Sequence, residues 1–320
     1  MRLLKIDPRP PSYDSVAEAA LDAGSNATIV DSVEMQDWHP IAPPPVVGAP
    51  KLAFVDGVQR LEVRVSAEGD GWPIPGALVS YAAGAACPGR EPPVRHVNVQ
   101  RRVILAKGVQ PSSITLSARN GELDYLPAHN AGEDFESLGR TLNDLRANLE
   151  AEVVRALIVE GMELIIADGR LPDVRHGPVV GLIKTLHDLY VSKPEQVDCL
   201  MRLRAGERSP LFLIQRARTT YYSWFICLRD PGPLDLALSG LARLEMDDAK
   251  SKDEVLRVAD ITASILPAYA STAARDDRAP QNLLPVGQLE RELRHRLGDP
   301  ELLKRLMVQT FAKESPGWNP

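Results

Sequence analysis

Two short stretches, LAFVDG at residues 52–57 and ELIIADG at residues 163–169, decide the fold that this sequence predicts. Each is an apolar run that ends in an Asp-Gly dipeptide, and short apolar runs bounded by turn signals indicate buried strands. The pattern therefore places Asp56 and Asp168 at the ends of two buried strands. Because Asp-Gly is a frequent turn dipeptide, turn formation alone is one interpretation of both carboxylates, and a shared site is the other.

The surrounding sequence predicts a mixed α/β fold of the ribonuclease H-like class. After the first stretch, LEVRVSA, ALVSYAAGAAC and VRHVNVQRRVILA favour an antiparallel meander. Residues 135–160 repeat leucine and valine at three- and four-residue spacing, which predicts a long amphipathic helix that Gly161 ends. Further strands are predicted at PVVGLIKTL, LFLIQRA, TYYSWFICL and LSGLARLEM, and helices at 253–266, 286–297 and 300–311. We thus expect a mixed sheet with flanking helices, extra strands and a helical C-terminal region.

The chain divides into three parts by composition. Residues 1–50 predict a loosely structured, proline-rich arm or linker, with one short helix at Val16–Ala23 and the run HPIAPPPVVGAP. Residues 51–312 carry the predicted ribonuclease H-like domain, and residues 313–320 form a C-terminal tail.

Charge and cysteine content restrict the function. A net charge of −6, from 43 acidic and 37 basic residues, argues mildly against a nucleic-acid partner, but phosphate contacts depend on where the basic residues lie. Three widely spaced cysteines cannot form a disulfide framework, which favours a reducing cytoplasm. No stretch approaches the roughly 18 apolar residues of a membrane span.

Basic residues cluster at four places in the sequence, and a solvated strand or helix face is the alternative interpretation of each cluster. The clusters are Arg101, Arg102 and Lys107; Arg202, Arg204 and Arg208; Arg216 and Arg218; and Arg291, Arg294 and Arg296.

Carboxylates that project from the ends of adjacent strands converge on one point and repel each other. A divalent cation resolves this repulsion, and oxygen ligands select magnesium or manganese over zinc. The long helix offers a third carboxylate at Glu150 or Glu152, which flank its buried stripe on opposite sides. Periodicity does not choose between them, and a solvated flank is the alternative for each. In the ribonuclease H-like fold such a triad binds two metal ions that activate water and stabilise the leaving oxygen of a phosphodiester.

The sequence also resembles the NurA-domain nucleases, its bacterial branch in particular, which are partners of the HerA hexameric DNA translocase. The resemblance covers roughly residues 51–310 and is specific in the order of its pieces. These are FVDG (54–57), Leu149–Glu150, IIADGRL (165–171), VVGLIKTLHDLY (179–190), YYSWFICLR (221–229), LARLEM (241–246) and APQNLLPVGQLERELRHRLGDPELLKR (279–305).

This resemblance implies manganese-dependent cleavage of single- and double-stranded DNA, with magnesium as the alternative metal, by a homodimer that docks onto the translocase. Asp56 and Asp168 match the family's metal-binding aspartates. Glu150 matches its helical glutamate best, because that glutamate tends to follow a leucine, and Glu152 stays open. Lys184 in GLIK is then expected to contact a scissile phosphate or the attacking water as a point charge. His187, three residues further along a strand, would point to the opposite face.

One departure concerns the C-terminal end of the domain, where archaeal relatives carry a tyrosine and, eight residues later, a histidine. Aligning the prolines puts Asn282 and Glu290 at these places. Asn282 is suited to hydrogen-bond a phosphate or a water, and Glu290 to ligate a metal in a four-carboxylate site. Surface positions at the start of a helix are the alternative for both.

Two other functions fit the sequence. The same fold, catalytically weak or inactive, would serve as a docking or DNA-binding subunit of the motor complex. Alternatively, Tyr221, Tyr222, Trp224 and Phe225 would form a stacking platform for a single strand. Because neighbouring residues of a strand alternate faces, we expect most of these aromatic side chains to lie in the core.

Overall fold

The computed structural model describes residues 4–6, 27–46, 48–68, 72–118, 121–184, 186, 189–217, 219–232, 238–272 and 280–314. Its strands are β1 (Leu4–Ile6), β2 (Thr28–Val30), β3 (Leu52–Ala67), β4 (Ile74–Ala86), β5 (Val94–Leu105), β6 (Ile114–Ala118), β7 (Gly121–Ala128), β8 (Leu164–Asp168), β9 (Val179–Ile183), β10 (Phe212–Gln215), β11 (Thr220–Cys227) and β12 (Leu241–Asp247). Its helices are α1 (Phe135–Val159), α2 (Pro194–Arg202), α3 (Lys252–Ile265), α4 (Leu284–Leu297) and α5 (Pro300–Glu314).

One mixed sheet organises the described part of the chain. At its centre β3, β4 and β5 form an antiparallel meander, β8 pairs in parallel with the other edge of β3, and β9 pairs in parallel with β8. Parallel neighbours need a long crossover, which α1 supplies between the meander and β8. The order continues through β12, β11, β10 and β2 on one side and through β7 and β6 on the other. The predicted mixed α/β fold, with a mixed sheet, flanking helices, extra strands and a helical C-terminal region, is confirmed.

The helices cover the two faces of the sheet separately. Leu149 and Val153 of α1 pack with Val55 of β3, in a core that α5 also joins. Alternate residues of the same strands, such as Phe54 and Ile166, pack instead against α3 and α4. A third apolar cluster, around Phe212 and Phe225, lies under α2. A side chain at the end of β3 or β8 is therefore directed either to the α1 face or to the α4 face.

The expected turn after Asp56 is wrong. β3 continues without interruption to Ala67, with Asp56 opposite Gly84 and Gly57 opposite Ala83 on β4. The chain has no reason to turn here, because β4 keeps the backbone groups on one edge of β3 paired after β8 has ended on the other. The second dipeptide does turn: Gly169 has a φ of 96° and donates to the carbonyl of Leu182 over 2.9 Å. The sequence also missed β6, β7 and α2.

Part of the proline-rich leader belongs to the sheet. β2 pairs antiparallel with β10, and Trp38 is buried against Phe212 with 5.8 Å between the ring centroids. Glu34 accepts two hydrogen bonds from the buried guanidinium of Arg208, which also donates to Asp260 on α3 over 2.6 Å. Arg208 therefore ties the leader to α3, although the sequence grouped it with a basic patch. The expected helix at 16–23 lies outside the described residues.

No helix among the described residues combines the length and the apolar character that crossing a bilayer requires.

The aromatic run of β11 is largely core. Trp224 and Phe225 are fully buried, and the indole N–H of Trp224 donates to the hydroxyl of Thr262 on α3 over 3.2 Å.

We expect Trp224→Ala to lower the free energy of unfolding by about 3–5 kcal/mol, because it opens a large cavity between β11 and α3. Urea unfolding measures this, and Trp72→Ala is the control, since Trp72 is 79% exposed. Unchanged stability together with weakened DNA binding would instead support a stacking platform.

Candidate metal centre

The register of two parallel strands brings Asp56 and Asp168 together. Val55 of β3 lies opposite Ala167 of β8, so the next residues along both strands are the two aspartates. Both share the orientation of Phe54 and Ile166, which lie in the core covered by α4. The carboxylates thus project side by side on the α4 face, at the point where β8 ends.

Asp56 is a buried carboxylate that protein groups satisfy only in part. It is 5% exposed, and its Oδ1 accepts the backbone N–H of Gly57 over 2.8 Å. Its Oδ2 is buried without a hydrogen-bond partner among the described residues. Burial raises the pKa of Asp56 well above its usual range, and the charges of Asp168, Glu150 and Glu290 raise it further. A buried oxygen of this kind calls for a cation or a proton.

Glu290 joins the two aspartates from above the sheet. It lies on α4, half-buried, and one oxygen each of Asp56, Asp168 and Glu290 lies within 4.8 Å of the other two. Oxygen ligands bind Mg²⁺ or Ca²⁺ at about 2.0–2.6 Å, so atoms that share one ion lie at most ~4–5 Å apart. The three carboxylates therefore fit a divalent cation with little rearrangement.

Glu150 lies on the opposite face of the sheet, in a gap that Gly57 leaves, and its charge acts on Asp56. α1 packs on that face through Leu149 and Val153, and a Cβ placed on Gly57 would lie 2.3 Å from Oε1 of Glu150. Any side chain at residue 57 would therefore fill the space that the Glu150 carboxylate occupies. Burial is the largest cause of the raised pKa of Glu150. The charge of Asp168 raises this pKa further, while Arg146 lowers it.

Arg146 holds Glu150 in place and was missed by the sequence reasoning. Its Nη1 donates to Oε1 of Glu150 over 2.6 Å, and its Nε donates to Oε1 of Gln59 on β3 over 3.1 Å. Gln59 in turn donates to Asn143 over 2.6 Å. The four-residue spacing of Arg146 and Glu150 on a helix was the available signal, since such residues are neighbours on its surface.

Glu152 lies elsewhere. It is exposed on α1, and burial raises the pKa of Tyr81 on β4, to which the charge of Glu152 adds. The charges that raise the pKa of Asp56 come from Asp168, Glu150 and Glu290. Of the two glutamates that helical periodicity left open, Glu150 is the one beside the aspartates.

Lys184 and Asn282 complete the surroundings of Asp168. Lys184 follows the last residue of β9, and its ammonium donates to Oδ2 of Asp168 over 2.5 Å and to Oδ1 of Asn282 over 2.7 Å. Asn282 is fully buried and lies two residues before α4. The structure thus brings Asp56, Asp168 and Glu290 together with this pair, whereas His187 lies outside the described residues.

Comparisons with known proteins add a similarity to a solved structure. No family model matches the sequence, and no curated protein matches it. Among solved structures, the crystal structure of the NurA nuclease from Sulfolobus solfataricus is similar, with 10% sequence identity and a TM-score of 0.48. The match covers 88% of this chain and 89% of that one. At this identity no residue of the present chain takes its role from that protein.

The gap at Gly57 gives a testable expectation. We expect Gly57→Ala to displace the Glu150 carboxylate, because the added Cβ would lie 2.3 Å from its oxygen, and so to weaken Mn²⁺ binding measured by calorimetry. In a Glu150→Ala background the same substitution should have little further effect, since the blocking oxygen is gone. Equal and additive effects in both backgrounds would contradict the close approach.

The raised pKa of Asp56 predicts a stability change in the metal-free protein. A carboxyl whose pKa is raised by folding stabilises the folded protein at low pH. This stabilisation is lost as the pH rises from the usual pKa of the carboxyl through its raised pKa. We expect Asp56→Asn to raise the melting temperature of metal-free protein at neutral pH, and the difference to shrink as the pH is lowered. The variant should also lose the rise in melting temperature that Mn²⁺ gives the wild type. A variant that melts below the wild type at neutral pH would contradict the burial of an uncompensated charge.

Proposed function

We propose that this protein is a metal-dependent DNA nuclease that hydrolyses phosphodiester bonds as an exonuclease, an endonuclease or both. The observation that carries the proposal is the buried oxygen of Asp56, unpartnered among the described residues and surrounded by Asp168, Glu150 and Glu290. Unneutralised carboxylates in contact cost stability, so a cluster of this kind is suited to bind a divalent cation. The resemblance of the sequence to the NurA-domain nucleases supports the same reaction.

Asp56, Asp168 and Glu150 would hold the metal, with Glu290 as a fourth carboxylate. The donor set consists of oxygens alone, which suits Mn²⁺ or Mg²⁺, and the resemblance favours Mn²⁺. When bound, the metal supplies an activated water and neutralises charge on the phosphate. Asp56 and Asp168 come from the rigid sheet, so their positions do not depend on a loop.

Lys184 would contribute positive charge to the substrate phosphate. It lies between Asp168 and Asn282, and the amide of Asn282 orients its ammonium. A phosphodiester that approaches four carboxylates meets strong repulsion, and a lysine at the edge of the cluster reduces it as a compact point charge. Asn282 would thus act through Lys184 or through a hydrogen bond to the phosphate or a water.

The partners and setting follow from the resemblance. We propose single- and double-stranded DNA as substrates, a homodimer as the assembly, and docking onto a HerA-type hexameric ATPase during DNA end processing and recombinational repair. The three buried, free cysteines suit the reducing cytoplasm that we propose as its location.

A second candidate is a catalytically weak or inactive docking subunit of the same motor complex. It is favoured by the ion pairs already present, since Arg146 pairs with Glu150 and Lys184 with Asp168. In such a subunit these pairs would be permanent counter-charges. In the nuclease, the metal ion and these two basic side chains would share the carboxylates.

Two glutamates of α1 provide a matched test of the nuclease. With Mn²⁺ and a labelled DNA strand, we expect Glu150→Gln and Asp56→Ala to lower the cleavage rate at least about a hundredfold, because a metal site supplies several kcal/mol of charge stabilisation. Glu152→Gln should cleave at the wild-type rate, since Glu152 is exposed and lies away from the cluster. Absence of cleavage by the wild-type protein, with retained binding to a HerA-type ATPase, would support the docking subunit.

A further inference from the structure

Ser271 carries a buried hydroxyl that the described part of the chain does not satisfy. The residue is 2% exposed, and its Oγ has no hydrogen-bond partner among the described residues. Such a hydroxyl has lost its hydrogen bonds to water without replacing them, which destabilises the fold. The next residue, Thr272, is exposed, so Ser271 lies close to the surface. A ligand that accepts a hydrogen bond would supply the missing partner.

An isolated β-bridge places Ser271 beside Asn282. Ala270 pairs antiparallel with Leu283, and both have extended backbones, with φ and ψ of −59° and 136° for the first and of −73° and 142° for the second. The residues next to such a bridge oppose each other, so the Cβ atoms of Ser271 and Asn282 lie about 4.5–5.5 Å apart. Ala270 and Leu283 both pack in the core covered by α4. Because successive side chains of an extended chain alternate, Ser271 and Asn282 share the other side.

The side chain of Asn282 leads directly to the carboxylate cluster. Its Oδ1 accepts a hydrogen bond from the Lys184 ammonium over 2.7 Å, and the same ammonium donates to Asp168. Ser271, opposite Asn282 and on the same side, therefore lies within side-chain reach of the ammonium beside the cluster.

A ring contact holds the segment that carries Ser271 over the same end of the sheet. The ring of Tyr269 meets that of Phe54 edge-on, with 5.2 Å between their centroids. Phe54 precedes Asp56 by two residues on β3 and has the same orientation. Because Ser271 follows Tyr269 by two residues, this contact also keeps it near the aspartates.

The N-terminus of α4 adds backbone donors at the same place. α4 begins at Leu284, two residues after Asn282, and no side chain of the described residues caps it. The N–H of Gly287 donates to the carbonyl of Leu283 over 3.0 Å, whereas the N–H groups of Leu284 and Val286 come too early to have a partner within the helix. The partial positive charge of a helix N-terminus favours an anion, and its N–H groups point at it.

We propose that Ser271, Lys184 and the N-terminus of α4 bind a phosphate group of the DNA strand beside the carboxylate cluster. This assignment rests on the proposed nuclease function for the identity of the strand. A phosphate oxygen accepts the hydrogen bond that the Ser271 hydroxyl does not make within the protein, and hydrogen bonds to an ionised acceptor are the strong ones. Lys184 contributes charge, whereas Ser271 and the helix contribute neutral donors. Neutral donors fix the position of the phosphate without pairing with the carboxylates that would hold the metal.

Two buried serines provide a matched test. Ser271→Ala removes the unpartnered hydroxyl, whereas Ser209→Ala removes one that accepts the backbone N–H of Phe225 and donates to the carbonyl of Pro210, each over 2.9 Å. Ser209 is fully buried as well. Melting temperatures are measured without metal. Affinity for a fluorescent single-stranded oligonucleotide is measured over a range of salt concentrations, with Ca²⁺ in place of Mn²⁺ so that no turnover occurs.

We expect Ser271→Ala to bind the oligonucleotide about tenfold more weakly than the wild type, because it loses one hydrogen bond to a charged group. Its salt dependence should stay that of the wild type, since serine carries no charge. Its melting temperature should equal or exceed that of the wild type, because the lost hydroxyl has no partner to leave unsatisfied. Ser209→Ala should melt roughly a few degrees lower and bind the oligonucleotide as the wild type does.

Unchanged oligonucleotide affinity of Ser271→Ala would overturn the assignment. A fall in its melting temperature as large as that of Ser209→Ala would reveal a structural partner and would also overturn it. So would weaker Mn²⁺ binding in calorimetry, which would place the hydroxyl at the metal. Retained oligonucleotide affinity with loss of thermal stabilisation by inorganic phosphate would show a site for free phosphate instead. If the expected pattern is found but the wild type does not cleave DNA with Mn²⁺, the phosphate site stands and the nuclease proposal fails.

Discussion

The parallel pairing of β3 with β8, in a register that sets Asp56 beside Asp168, is the constraint on which the rest of the site depends. Hydrogen bonds between the paired strands fix the positions of their backbones, so the like charges of Asp56 and Asp168 are held close together. In a flexible loop the two carboxylates could move apart. Burial is the largest cause of the raised pKa of Asp56, and the charge of Asp168 raises it further. Glu150, Glu290 and Lys184 are arranged around this pair, each from a different element.

The unequal lengths of the two strands let the site draw on both faces of the sheet. β8 ends at Asp168, whereas β3 continues for eleven residues beyond Asp56, still paired with β4. At this narrowing Gly57 has no side chain, so the Glu150 carboxylate on the α1 face comes close to the backbone of β3, and its charge acts on Asp56 on the α4 face. In an uninterrupted sheet, α1 and α4 would be separated by a full layer of side chains.

Charge is distributed unevenly over short distances, and this reconciles an acidic chain with a proposed DNA substrate. Asp56, Asp168 and Glu290, with Glu150 nearby, outnumber the two basic groups that accompany them, Arg146 and Lys184. A pocket lined by Arg170, Arg216 and Arg243 lies near the same strand ends, on the opposite face of the sheet. Net charge therefore says little about the local potential that a phosphate would meet, because the affinity depends on the groups within a Debye length.

The sequence by itself determined the central strands, the long helix and the two aspartates, because apolar runs and the 3.6-residue period are local properties of the chain. Tertiary structure decided that Asp56 lies within a strand and not at a turn, since this depends on its pairing with Gly84 of β4, which the Asp-Gly dipeptide by itself does not reveal. It also decided which glutamate of α1 approaches the aspartates. Helical periodicity gives the angle between Glu150 and Glu152, but only packing against β3 shows that the gap at Gly57 lies under the first.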